Sequence, residues 1–310
     1  RRRTTTTEAS EGTHFEDLPG ILQICIGTAT KPGLIAYFDD DILAMINMFA
    51  KTCKKFLEYD PLRCYYFRVV LTKKCGVNFD DSRVNLDGKN IRDEDLQNIG
   101  EALKANNTLT RLYLGNNNIT DVQSIGELLK ANNTLETLYL SNNNITDVQS
   151  IGEGLKTNNT LTGLDLRYNN ITDVQSIGEG LKTNNSLQVL RLENNNITDV
   201  QSIGEGLKTN NTLTLLHLYN NNITDVQSIG EGLKTNNTLQ VLTLHNNNIT
   251  DDSGIQSIID VLKTNNTLKT LSLLNNQLSD NMKSQLKAIQ QYKRDGSNGY
   301  QQAEGMTIVT

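Results

Sequence analysis

The chain has 310 residues and a mildly acidic balance, with 29 Lys and Arg against 35 Asp and Glu. Its only basic run is Arg1 to Arg3, so it lacks the cationic stripe that neutralises a phosphate backbone, and nucleic acid is not an expected partner. No stretch approaches the roughly 18 consecutive apolar residues of a membrane span and the start lacks an apolar signal-peptide centre, which favours a soluble, cytoplasmic protein without a membrane partner.

The first part of the chain differs in composition from the rest. Residues 1–13 are predicted to be a flexible N-terminus, and residues 14–80 contain all the cysteines: Cys25, Cys53, Cys64 and Cys75. These cysteines form no Cys-x-x-Cys pair, so reduced thiols are favoured over two disulfides or a metal site. Asp39 to Leu62 has the apolar spacing of an amphipathic helix. A helical cap over the repeats that follow is therefore one interpretation of residues 14–80.

The same segment is also similar to a divergent F-box. Leu18-Pro19 resembles the opening of that motif, and the run from Cys53 to Phe56 resembles its closing helix. An F-box docks the adaptor of a ubiquitin ligase, so the resemblance implies an adaptor partner for residues 14–80. The stretch between the two matches is longer than usual, and both interpretations stay open.

From Leu109 onward the sequence repeats with a period of 26 residues. Within one unit, Leu112-x-Leu114 alternates as in a short strand, whereas Val122, Ile125 and Leu129 have helical spacing. Each unit therefore predicts one strand followed by one helix. An opening unit near Val84 and a final strand at Leu271 to Leu273 bring the predicted number of strands to eight. The same apolar offsets recur in the copies that begin at Leu135, Leu161, Leu187 and Leu213.

Polar residues mark the two turns of each unit. Thr120 and Gln123 fit a capping box, which predicts a helix start near Asp121. An Asn follows the last Leu of each strand by three residues, and its side chain can satisfy backbone groups left open by the turn. The Asn-Asn pair at Asn106 and Asn107 is interpreted as the end of the preceding helix. The structural ladder is predicted to consist of Asn117, Asn143, Asn169, Asn195, Asn221, Asn247 and Asn276.

The pattern LTRLYLGNNNIT, followed by IGELLKANNTL, resembles leucine-rich repeats, specifically the intracellular ribonuclease-inhibitor-like class. The resemblance implies an α/β solenoid over residues 81–278, with a curved parallel sheet on the concave face and helices on the convex face. The units are shorter than the roughly 28 residues usual in that class, so less curvature is expected. Cysteine-type repeats of F-box proteins are shorter too, but they carry Cys where this chain carries Asn.

The end of the chain departs from the repeat. Residues 279–294 are predicted to form a capping helix with Met282, Leu286 and Ile289 facing inward. Residues 295–310 are rich in Gly, Ser, Asn and Gln, which predicts a flexible tail.

The copies differ mainly at strand positions that the resemblance places on the concave face. Exposed helix positions such as Gln149 and Glu153 return unchanged at Gln201 and Glu205, so surface drift alone does not explain the pattern, although recent duplication would also preserve the helices. The mixture of Tyr, Arg, His and acids suits an interface with a protein. The predicted partner-binding residues are Arg111, Tyr113, Tyr139, Asp165, Arg167, Arg191, Glu193, His217, Tyr219 and His245.

No nucleophile with a base, paired acids or metal cluster stands at a catalytic spacing, so no enzyme activity, cofactor or metal is expected. His217 and His245 are interpreted as surface histidines without a third ligand. The favoured function is a non-catalytic protein–protein interaction module. The alternatives are an F-box-like substrate receptor and an architectural component of a larger assembly.

Overall fold

The computed structural model describes residues 81–104, 106–250, 252–295 and 307–309. The chain divides into two compact units, Arg1–Val70 and Leu71–Thr310, and every described residue belongs to the second. The predictions for residues 1–13 and 14–80, including the four cysteines, lie outside the described residues. In the part of the chain that the structure describes, no helix is both long and apolar enough to cross a membrane.

Short strands form one parallel sheet in which each strand pairs with the next along the chain. The middle residue of each strand is buried, and these residues align in register, as Leu112 does with Leu138. The predicted α/β solenoid is thereby confirmed over the described residues. The strands are β1 (Arg83–Asn85), β2 (Arg111–Tyr113), β3 (Thr137–Tyr139), β4 (Gly163–Asp165), β5 (Val189–Arg191), β6 (Leu215–His217), β7 (Val241–Thr243), β8 (Thr270–Ser272) and β9 (Thr307–Val309).

One helix lies between each pair of successive strands and packs mainly against the helices of the neighbouring repeats. The central helices have only 7 residues, too few to be stable alone, so their stability comes from burying residues such as Ile177 and Leu181 against their neighbours. The helices are α1 (Asp93–Lys104), α2 (Gln123–Ala131), α3 (Gln149–Leu155), α4 (Gln175–Leu181), α5 (Gln201–Leu207), α6 (Gln227–Leu233), α7 (Asp252–Leu262) and α8 (Asp280–Asp295).

The capping box predicted at Thr120 and Gln123 is wrong. Helix α2 begins at Gln123, and its N-cap residue Val122 makes no side-chain hydrogen bond. Instead, the Asp121 carboxylate accepts a hydrogen bond of 2.7 Å from the backbone N–H of Gln123. The next repeat has the same bond from Gln149 to Asp147. The Asp side chain reaches the amide two residues on, so a local turn supplies the acceptor that the predicted cap would have supplied.

The asparagines that follow each strand, here called the turn ladder, connect neighbouring repeats. The Asn143 Oδ1 atom accepts a hydrogen bond of 3.1 Å from the Ile119 N–H, and Nδ2 donates to the carbonyls of Leu114 and Leu140 at 2.9 and 3.0 Å. One buried amide therefore satisfies three backbone groups, two of which belong to the preceding repeat. Equivalent bonds are made by Asn117, Asn169, Asn195, Asn221, Asn247 and Asn276.

A second ladder lies at the end of each helix, where the sequence predicted only a helix terminus. The Asn132 Nδ2 atom donates to the carbonyls of Leu103 and Asn106, both at 2.9 Å, and Oδ1 accepts from the Leu135 N–H at 2.8 Å. This helix-end ladder satisfies the backbone between helix and strand. Its further members include Asn158, Asn184, Asn210, Asn236 and Asn265.

Glycines in the middle of the helices lie where the next helix comes close. A Cβ atom at Gly178 would lie 2.3 Å from the carbonyl carbon of Ser202, and one at Gly180 would lie 2.8 Å from the carbonyl oxygen of Gly152. Real Cβ atoms do not approach other atoms so closely. Each glycine weakens an isolated helix but allows the helices to pack closely against one another.

The C-terminal residues add an element that the sequence missed. Strand β9 pairs with β8 and buries Ile308, so the sheet in the described residues has one strand more than the eight predicted. It lies within residues 295–310, where a flexible tail was predicted. Helix α8 occupies the position of the predicted capping helix, with Met282 and Leu286 buried.

Candidate functional site

The side chains on either side of each buried strand leucine point away from the core and form one surface, here called the strand face. The parallel register places Tyr113, Tyr139 and Asp165 in one row that continues to Arg191 and His217. A second row, two residues further along each repeat, contains Arg167, Glu193, Tyr219 and His245. Arg111 lies beside Thr137 in the row before the leucine. All the predicted binding residues therefore lie on one side of the sheet.

Two aromatic stacks occupy the strand face. The rings of Tyr113 and Tyr139 are parallel within 4°, with their centres 4.5 Å apart. Tyr219 stacks on His245 with the ring centres 4.3 Å apart. Burial raises the pKa of Tyr139 and of Tyr219 further above neutrality, and the Tyr219 hydroxyl donates a hydrogen bond to Glu193 Oε1 over 3.5 Å. The stacks are preformed aromatic surfaces of the kind that anchor protein interfaces.

Between the two stacks lies a charged cluster in which the acids are buried beneath the arginines. Arg167 Nε lies 3.1 Å from Asp165 Oδ2, with the two side chains 37% and 4% exposed. Arg191 Nη1 lies 3.9 Å from Glu193 Oε1, with the side chains 35% and 0% exposed. The sequence predicted that all four side chains face the partner directly. The two acids instead lie under longer side chains from their own and neighbouring repeats.

The two buried carboxyl groups have opposite pKa shifts. Burial raises the pKa of Asp165 more than the Arg167 N–H and guanidinium lower it. Burial raises the pKa of Glu193 too, but here the opposing effects are larger. His217, the backbone N–H of Glu193 itself and Arg191 together lower the pKa by more than burial raises it. The distance from His217 Nδ1 to Glu193 Oε2 is 3.9 Å, which is too long for a hydrogen bond, so His217 attracts Glu193 only when its imidazole is protonated.

Tyr168 belongs to this surface but was absent from the predicted binding residues. Its backbone has a φ of +53°, in the left-handed region, and its side chain is 50% exposed. The sequence signal was the change of the repeated Asn-Asn-Asn triplet to Tyr168-Asn169-Asn170. The positions equivalent to Tyr168, all with positive φ, are Asn116, Asn142, Asn194, Asn220, Asn246 and Asn275.

Tyr168 also interrupts a chain of side-chain hydrogen bonds. Asn275 donates to Asn246, Asn246 to Asn220, and Asn220 to Asn194, over 2.6 to 2.7 Å. The next position belongs to Tyr168, which has no amide oxygen to accept the following bond. The Nδ2 atom of Asn194 is accordingly buried without a hydrogen-bond partner in the described residues.

Other surfaces of the described residues offer less chemistry. Within those residues, no group of three or more His, Cys, Asp and Glu side chains is placed to hold a metal ion. The grooves between helices are lined by the same polar side chains in successive repeats, such as Asp147 and Gln149 in one groove and Asp173 and Gln175 in the next. The strand face is therefore the surface on which neighbouring repeats differ chemically.

Two family models match parts of the repeat region. Residues 107–157 match a family model described as leucine-rich repeats in two copies, and residues 157–174 and 183–200 match another leucine-rich repeat model. No curated protein matches the chain significantly. Among solved structures, internalin C2 from Listeria monocytogenes is similar, with 26% identity, coverage of 64% of this chain and 74% of that chain, and a TM-score of 0.47.

Proposed function

We propose that this leucine-rich repeat chain is a non-catalytic interaction module that binds a protein partner on its strand face. The proposal rests on one observation: exposed residues differ between repeats on the strand face but are the same in successive repeats on the helices. On the helices, Glu153, Glu179 and Glu205 occupy equivalent accessible positions and are identical. On the strand face, Tyr139 and Arg191 occupy equivalent positions and differ completely. Because both surfaces are accessible, exposure alone does not account for the difference.

The composition of the strand face supports binding to a protein. Its accessible groups include tyrosine rings and arginine guanidinium groups, two of the residue types that most often supply binding energy in protein interfaces. The two acids are covered, so arginines and hydroxyl donors meet the partner first. A rigid sheet also holds these groups in place before binding, which reduces the entropy lost on association.

We propose that the module works inside the cell and belongs to the ribonuclease-inhibitor-like class. The helix in each repeat supports the class. The cellular location is supported by Asn158, which is the acceptor of an Asn-x-Thr glycosylation sequence but is buried in the helix-end ladder. Asn158 Nδ2 donates to the carbonyls of Leu129 and Asn132, and a glycan there would replace one of the two hydrogens that make these bonds.

A pull-down with two matched triple variants tests the binding proposal. The first variant carries Tyr139→Ala, Arg191→Ala and Tyr219→Ala on the strand face. The control carries Gln149→Ala and Glu153→Ala on helix α3 and Lys156→Ala at the residue that follows it. We expect proteins recovered with the unchanged chain to fall by about tenfold with the first variant, and to be retained with the control. Equal recovery with both folded variants, verified by circular dichroism, would show that the strand face does not bind the partner.

A further inference from the structure

We infer that the acid-binding patch, formed by Arg167, Tyr168, Arg191 and Tyr219, binds an acidic segment of the protein partner through its Asp or Glu side chains. The inference rests on the proposed function and specifies which part of the strand face recognises which chemistry. Two independent features carry it. One is the unfavourable backbone conformation of Tyr168, and the other is that two partly exposed arginines lie above two buried acids.

Tyr168 lowers the stability of its own repeat in two ways. A left-handed backbone is unfavourable for a residue with a bulky Cβ substituent, whereas Asn tolerates it. Tyr168 also leaves the buried Nδ2 of Asn194 without an acceptor. Tyr168 is 50% exposed, so only part of its surface is buried to offset these costs. Local strain that the fold itself does not need points to a role in binding.

The charges around Tyr168 are arranged so that a partner meets cations. Asp165 contacts Arg167 through Nε, and the carboxylate is 4% exposed against 37% for the arginine. Arg191 lies 3.9 Å from the completely buried Glu193, which is longer than a hydrogen bond. Among the described residues no shorter ion pair of Arg191 is seen. Each guanidinium group therefore keeps donor capacity for a carboxylate, which it can bind with two parallel N–H groups.

The same arrangement favours separate carboxylates over a continuous phosphate backbone. The acids beneath the arginines weaken the positive potential at longer range, and the whole chain carries a net charge of −6. A polyanion that needs many evenly spaced cations is therefore disfavoured. An Asp or Glu side chain needs only short-range donors, which Arg167, Arg191 and the hydroxyl group of Tyr168 provide. The Tyr219 hydroxyl donates to Glu193 Oε1 over 3.5 Å, so Tyr219 contributes its ring to the patch.

Fluorescence anisotropy with defined peptides tests the inference. The probe is a fluorescein-labelled peptide of alternating Glu and Ser, and its neutral counterpart has Gln in place of Glu. We expect the Glu peptide alone to bind, and the double variant Arg167→Gln, Arg191→Gln to weaken it by about tenfold or more. The control, Lys182→Gln with Lys208→Gln, removes the same charge from the residues that follow helices α4 and α5, and is expected to leave affinity unchanged within about twofold.

Two further variants keep the test decisive if the glutamines disturb folding. Arg167→Lys with Arg191→Lys keeps both charges but removes the forked donors, and is expected to weaken binding by about fivefold. Tyr168→Asn is expected to weaken binding by about threefold or more although it removes backbone strain. Loss of affinity in a more stable protein cannot be attributed to unfolding.

Several outcomes would overturn the inference. These are equal binding of the Glu and Gln peptides, equal weakening by the lysine control, or equally tight binding of a single-stranded RNA probe through the same arginines. The pull-down separates this failure from that of the proposed function. Partners lost with the strand-face triple variant but kept with Arg167→Gln, Arg191→Gln leave the proposed function standing and remove the acidic-segment inference.

Discussion

At the scale of single residues, Tyr168 is expected to lower the stability of the fold. We predict that Tyr168→Asn raises the free energy of unfolding by about 1 to 2 kcal/mol, because Asn tolerates the positive φ and its amide oxygen can accept the bond from Asn194 Nδ2. Urea denaturation measures the change. Tyr113→Asn serves as the control, since Tyr113 stacks on Tyr139, and this variant is expected to be less stable. A less stable Tyr168→Asn would contradict the assignment of strain.

His245 gives the molecule a pH dependence that is also a property of one residue. Burial, and then the charge of His217, lower the pKa of His245 below its ordinary value of 6.5. The unfolded chain therefore binds the proton more readily than the folded chain, and stability is lost as the pH falls below that value. We expect the free energy of unfolding to decrease between about pH 7 and pH 5, and His245→Gln to flatten this decrease.

Urea titrations at several pH values measure the effect of His245. The variant His217→Gln provides a second comparison, because it removes the charge that helps to lower the pKa of His245 and should make the slope shallower. An unchanged slope in His245→Gln would assign the dependence to other groups.

At the scale of the repeating elements, the turn ladder is expected to contribute more stability than any exposed residue of the same turn. Asn195→Ala removes the acceptor for the Ile171 N–H and the donor to the carbonyls of Leu166 and Leu192. Buried backbone groups left without partners cost about 1 to 3 kcal/mol each, so we predict a loss of about 3 kcal/mol or more. The adjacent, exposed Asn196 is the matched control, and Asn196→Ala should change stability by less than about 0.5 kcal/mol. Similar losses for both variants would remove the special role of the ladder.

In the helices, we predict a change in stability opposite to the one that helix propensity alone would give. Replacing Gly by Ala in an isolated helix stabilises it by about 1 kcal/mol. At Gly178, however, the added Cβ would lie 2.3 Å from the backbone of Ser202, so we predict that Gly178→Ala destabilises the protein by about 2 kcal/mol or more. Thermal unfolding of this variant is compared with Gln175→Ala, an exposed change in the same helix that should be nearly neutral. A stabilised Gly178→Ala would show that the helices have room to separate.

These elements differ in how far the sequence predicts them. Strand and helix positions follow from apolar offsets that recur with every copy, so the alternation seen from β1 to β8 was predictable. The hydrogen bond from the Gln123 N–H to Asp121 was missed because Thr120 and Gln123 also fit the capping-box pattern. Only the backbone geometry shows which of the two arrangements forms at this helix start. Strand β9 was missed because Thr307–Val309 has no repeat around it and pairs only through tertiary contact with β8.

At the scale of the whole molecule, some features of the strand face follow from the repeat pattern of the sequence and others depend on contacts between repeats. The rows of variable residues follow directly from the register, and the sequence identified them. The burial of Asp165 and Glu193 depends on how side chains from adjacent repeats cover one another, which no single repeat encodes. The positive φ at Tyr168 became visible only when its backbone could be compared with that of the equivalent asparagines.

A repetitive molecule of this kind should tolerate loss of a complete unit better than loss of part of one. Deleting residues 220–245 joins Tyr219 to Asn246, removes α6 and β7, and keeps both ladders in register. Stability in such arrays is roughly the sum of repeat and interface contributions, so we expect cooperative unfolding at a lower denaturant concentration and with a smaller dependence on denaturant. Deleting residues 220–232 places polar residues at core positions, and we expect that variant to unfold. If both deletions behave alike, stacking in register is not what holds the repeats together.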